Sequence, residues 1–75
     1  MEEKHKIFLK KLGRRIAQIR KQKNLTQVDL AAITKMDDSS IRRIESGRNN
    51  SSIVILLRLA EALEIPLNDL VKIED

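Results

Sequence analysis

No cysteine occurs in this chain, which excludes disulfides and thiolate metal sites as sources of stability. That absence fits a reducing compartment. His5 is the only histidine and has no partner at ligand spacing, which argues against a structural metal; neither a metal nor a cofactor is expected. Phe8 is the only aromatic residue. Proteins that hold single-stranded nucleic acid stack bases on several rings, so a single-strand binder is disfavoured. One proline, two glycines and no sustained period-two alternation leave little punctuation for a sheet. No apolar run approaches the roughly 20 residues of a membrane span. The Met-Glu-Glu-Lys start has no apolar signal-peptide core. A cytoplasmic protein with no membrane partner is therefore expected.

Seventy-five residues are read as one all-α domain, 1–75. A chain this short buries only about 60% of its unfolded surface, and pairing with a second copy is a common way to add stability. The net charge of +4 is unevenly spread: residues 1–24 carry nine Lys/Arg against two Glu, residues 25–48 balance four against four, and residues 49–75 carry two against five. A basic region suits a polyanion, and with one aromatic residue the better-matched polyanion is duplex DNA. A merely solvated basic helix explains the charge equally well.

Five helices are predicted. In the first, about 4–22, Phe8, Leu12, Ile16 and Ile19 make one face; Gly13 inside it allows close approach of another helix or local flexibility. Asn24 and Leu25 break the chain. Thr26 with Asp29 forms a capping-box pair opening a second helix, about 27–33, whose Leu30 and Ala31 face inward. Residues 34–36 turn, and Asp37 caps a third helix, about 38–46, with Ile41, Ile44 and Met36 inside. Gly47 ends it in a left-handed conformation. Ser52 caps a fourth helix, about 53–63. Pro66 starts a short fifth, about 66–71, and residues 73–75 are read as a tail.

Two short helices joined by a tight turn, with apolar residues at 30, 36, 41 and 44, are the pattern that projects one helix into a DNA major groove. The stretch Leu25-Thr26-Gln27-x-x-Leu30-Ala31, followed by Ser39-Ser40-Ile41-Arg42-Arg43-Ile44-Glu45-x-Gly47-Arg48, resembles the Cro/phage-repressor-like (Xre-type) helix-turn-helix family. The run 56–63 and Ile65-Pro66-Leu67-Asn68-Asp69-Leu70 resemble its last two helices, so the likeness spans about residues 7–71. It implies a compact five-helix, lambda-repressor-like domain that binds a near-palindromic operator as a homodimer, as a repressor or as a restriction–modification controller.

The resemblance also implies roles. Asp38, Ser39, Arg42 and Arg43 match the outward recognition positions. Gln27 matches a glutamine that touches phosphate and steadies the recognition helix. Arg20 and Glu45 match a salt-bridged pair. Lys35, Arg48 and Asn49 are further phosphate candidates. Lys35 stands where the family usually has glycine, and Ser51 where it usually has proline. Arg42 and Arg43 lie about 100° apart, so one is expected to fork onto a guanine and the other to meet phosphate or solvent. Asp38 either accepts from a cytosine amine or serves only the helix dipole. Lys10, Arg14 and Arg15 are read as either a solvated face or a contact.

Val54, Ile55, Leu57 and Leu67 are the dimer-interface candidates. The same patch suits a protein partner, a toxin or RNA polymerase, so an antitoxin-like interaction module is the principal alternative. An enzyme is disfavoured, because convergent acids, bases or nucleophiles in a cleft are lacking. A membrane-surface role for the basic first helix is disfavoured by the absence of flanking Trp and of a broad apolar face.

Overall fold

A computed structural model describes residues 1–73; Glu74 and Asp75 of the expected tail lie outside the described residues. Within it the chain forms five helices and no strand: α1 Glu3–Gln22, α2 Gln27–Thr34, α3 Asp38–Glu45, α4 Ile53–Ala62 and α5 Leu67–Leu70. Twenty residues of α1 at 1.5 Å rise span about 30 Å, the full length of a body measuring 32 × 23 × 20 Å. Helices α3 and α5 pack on this rod, α2 packs on α3 and α4, and α4 packs on α5. Ile16, Leu30, Ile41, Leu59, Leu63 and Leu70 are completely enclosed, one or more from every helix or its end.

Helix ends fix the path between elements. Asn24, Lys35, Gly47 and Glu64 take positive φ, between 58° and 79°, and the residue after each donates its backbone N–H five residues back: Leu25 to Arg20, Met36 to Ala31, Arg48 to Arg43 and Ile65 to Ala60. These are Schellman closures, which satisfy otherwise orphaned carbonyls. Leu25, Met36 and Ile65 then pack against the core. Lys35 adopts φ 58°, ψ 39° at a cost of roughly 1 kcal/mol for a residue with a Cβ; two turn hydrogen bonds and the seated Met36 offset it. At the front of α2, the Thr26 hydroxyl accepts from Asp29 N and an Asp29 oxygen accepts from Thr26 N, a complete capping box.

Several sequence expectations change. Phe8 is 45% exposed and lines a surface groove with Lys4, Ile7, Lys11 and Ile73. Ile73, expected in a tail, packs against the core. Asp37 has the extended backbone of an N-cap but its side chain makes no capping bond. Pro66 is the N-cap of α5 and does not lie in its first turn. Thr34 belongs to α2, buried, with its hydroxyl donating to the Leu30 carbonyl at 2.8 Å.

Both glycines serve one joint. A Cβ on Gly13 of α1 would lie 2.5 Å from the Ile44 carbonyl oxygen and 2.7 Å from the Glu45 carbonyl carbon; a Cβ on Gly47 would lie 2.7 Å from Lys10 Cα. The C-terminal end of α3 therefore sits directly on the backbone of α1.

Candidate nucleic-acid interface

Ile41 and Ile44 bury one side of α3. At 100° per residue, Ser39 and Ser46 fall on the opposite side, with Arg42 and Arg43 about 50° to either side of them. This outer side borders an open cleft of about 540 Å³, to which α3 and the following residues contribute Ser39, Arg42, Arg43, Ser46 and Arg48, α2 contributes Gln27, and α1 contributes Arg14 and Ala17.

The helix bearing these side chains is held by a buried ion pair. Arg20 Nε donates to Glu45 Oε2 at 2.7 Å, Nη2 donates to Oε1 at 3.0 Å, and Nη1 donates to the Leu25 carbonyl at 2.8 Å. The two side chains are only 9% and 7% exposed. Gln27 Nε2 adds a bond to Glu45 Oε1 at 2.9 Å. One carboxylate thus fastens α1, α2 and α3 at the C-terminal end of α3. The hydrogen bond that Arg20 donates to Glu45, joined by the charge of that carboxylate, raises the Arg20 pKa above the ordinary guanidinium value despite opposition from burial. Gln27 keeps an amide hydrogen for the cleft.

The arginines fall into two groups. Arg15 clamps the Asp69 carbonyl through Nε and Nη2 at 3.1 and 2.9 Å, tying α1 to α5. Arg58 donates to the Thr34 carbonyl, tying α4 to the end of α2. Arg42 pairs with Asp38 at 2.8 Å on the open face of α3. The hydrogen bond accepted from Arg42, and then the charge of Arg42, hold the Asp38 carboxyl below the usual range. Together with Arg20, these arginines have partners. Among the described residues Arg14, Arg43 and Arg48 have no side-chain partner, and all three line the one cleft.

A family model for helix-turn-helix proteins matches residues 16–70. This chain is a helix-turn-helix regulator. The restriction-modification controller protein C.AhdI from Aeromonas hydrophila is 39% identical and superposes with a TM-score of 0.81, covering 83% of this chain and 94% of that one. A point mutant of the restriction-modification controller protein C.Esp1396I is 30% identical, with a TM-score of 0.77 and 85% of each chain covered. The HTH-type transcriptional regulator y4dJ of Sinorhizobium fredii is 32% identical over 62 residues, 83% of this chain and 80% of that protein. These relatives are transcription regulators, not enzymes, and no helix among the described residues is long and apolar enough to cross a membrane.

In this regulator the expected site residues divide. Ser39, Arg42, Arg43, Gln27 and Arg48 gather at the cleft, and Asp38 joins them through Arg42. Lys35 borders a different groove, with Arg58 and Glu61 of α4, and Asn49 is exposed in the loop outside the cleft lining. Of the four interface candidates, Val54 (60%) and Leu57 (46%) are exposed, joined by Ile53; Ile55 and Leu67 pack against this chain's own core. Sequence reading missed Ser46, although it follows Arg42 and Arg43 at helical spacing. It also left Arg14 undecided.

Proposed function

We propose that this regulator inserts α3 into the major groove of duplex DNA and reads a near-palindromic operator as a homodimer. The observation that carries this reading is the convergence of Arg14, Arg43 and Arg48, whose guanidinium groups have no partner among the described residues, on the cleft beside the outer side of α3. A guanidinium whose five donors face only water suits guanine edges and phosphates. Arg43 is assigned the guanine contact, because Arg42 is already held by Asp38. In this reading the Asp38–Arg42 pair and Ser39 meet the neighbouring base edges. Arg48 and the remaining amide hydrogen of Gln27 meet phosphate, as do Lys35 and Asn49 at the outer margins.

Ile53, Val54 and Leu57 on α4 are the face offered to a second copy; their exposure leaves apolar area that a symmetric partner would cover. The chain then acts as a repressor or controller whose occupancy follows its own concentration, in keeping with its likeness to two controller proteins. Selection of binding sites from a random duplex pool, with sedimentation of the resulting complex, tests both parts. Two inverted half-sites about one helical turn apart and two chains per duplex are expected. A pool that yields no consensus would overturn the readout. A single chain at every concentration, with and without DNA, would overturn the dimer and assign the α4 face to a different protein.

A further inference from the structure

We propose that α1 carries a second phosphate-binding element, Arg14 with Lys10, which joins Arg48 to grip the DNA backbone beside the groove entered by α3. This rests on the DNA-binding reading above and adds a helix outside the helix-turn-helix unit to the contact surface.

Arg14 is exposed on α1 yet lines the same cleft as Arg43 and Arg48. Lys10 lies one turn earlier on the same face, with Cβ atoms about 5–6 Å apart by helix geometry. Its backbone is pressed against Gly47, where an added Cβ would meet Lys10 Cα at 2.7 Å, and Gly47 is followed directly by Arg48. Two turns of α1 are thereby locked beside the loop that leaves the recognition helix.

Charge makes the arrangement informative. Lys10, Arg14 and Arg48 have no side-chain acceptor among the described residues. The carboxylate in the cleft, Glu45, is filled by Arg20 and Gln27 and is 7% exposed, so it cannot turn outward to neutralise them. Clustered like charges oppose the compact state, and a polyanion removes the opposition. Arg15, the next residue, shows the alternative: it folds onto the Asp69 carbonyl. The position after a left-handed helix end is filled by core-packed Leu25, Met36 and Ile65 at the other three closures. Only after α3 is it a cation, Arg48, exposed at the rim. The occupant is duplex DNA because the cleft runs without a break from Arg14 to the outward residues of α3. Such contacts set orientation and register and carry no base information.

The test uses the full chain and an operator duplex obtained by selection. Affinity is measured against salt for the wild type, Arg14→Gln, Lys10→Gln and Lys6→Gln, the last an exposed α1 lysine that neither lines the cleft, as Arg14 does, nor lies against Gly47, as Lys10 does. Each of the first two variants should lower the slope of log affinity against log salt by about 0.9. Each should weaken binding roughly three- to tenfold at fixed salt and keep the ranking among base-substituted duplexes. Melting temperatures should stay at the wild-type value, and Arg14→Lys should restore the slope. An unchanged slope in Arg14→Gln, or an equal loss in Lys6→Gln, overturns the proposal. A wild-type chain without steep salt dependence would instead sink the DNA-binding reading itself.

Discussion

The joint between α1 and α3 and the cleft beside it use the same residue type in opposite ways. In the joint, Arg20 spends three of its nitrogens on Glu45 and Leu25 and is almost fully enclosed. In the cleft, the guanidinium groups of Arg14, Arg43 and Arg48 have no acceptor among the described residues. A chain this short has a small core, and the enclosed Arg20 together with both glycines fixes how α3 sits on α1. The open arginines are then presented on a rigid support. Pre-set geometry of this kind reduces the ordering cost of binding.

The contrast can be broken first at its strongest point. Arg20→Ala leaves Glu45 buried without its cation and should destabilise the fold by about 3–5 kcal/mol, a large part of the roughly 5–15 kcal/mol typical of a domain. A fall of more than about 10 °C in melting temperature by circular dichroism is expected; a shift of a degree or two would show that the pair is dispensable. Gly13→Ala drives a methyl into the Ile44 and Glu45 carbonyls and should cost about 1–3 kcal/mol by overpacking. An unchanged denaturation midpoint would mean that α3 can back away freely.

Adjacent residues sharpen the comparison. Arg15→Ala removes the clamp on α5 and should lower stability by about 1 kcal/mol, whereas Arg14→Ala should stay within about 0.5 kcal/mol of the wild type. Chemical denaturation of the two variants checks this, and equal losses would erase the distinction between tied and open arginines.

The smallest effect concerns the start of α2. The Thr26 backbone N–H, followed by its hydroxyl, holds the Asp29 carboxyl below the ordinary range. The folded state thus binds that proton less readily than the unfolded chain. The contribution is complete above the ordinary carboxyl pKa of about 3.9 and is lost as pH falls through the lowered value. Asp29→Asn should melt slightly below wild type by a constant margin from about pH 7 to about pH 5, and the margin should close in stronger acid. A margin that held at all pH values would remove the carboxylate's role.

The five helices were legible because apolar residues recur at helical spacing and Thr26 and Ser52 cap their helices. The outward placement of Ser39, Arg42 and Arg43 on α3 was legible because they fall at fixed positions relative to Ile41 and Ile44. Arg20 and Glu45 came only with the family resemblance; 25 positions apart, nothing local marks them as partners. Arg15 and Arg58 were not foreseen, because their acceptors are backbone carbonyls, which every residue possesses. The left-handed turns at Asn24 and Glu64 were hidden for the opposite reason: the expected marker, glycine, is absent, and the following apolar residue seats the turn. Phe8 misled because an apolar stripe does not say how far the neighbouring helices extend.

The readout by α3 is tested most directly by titrating wild type and Arg43→Ala against the selected operator and a set of duplexes with each base pair replaced in turn. The expected result is that Arg43→Ala loses discrimination at one guanine-bearing pair, equivalent to about 1–3 kcal/mol, and keeps its preferences elsewhere. A uniform weakening on every duplex would place Arg43 on the phosphate backbone and contradict base recognition through that side chain.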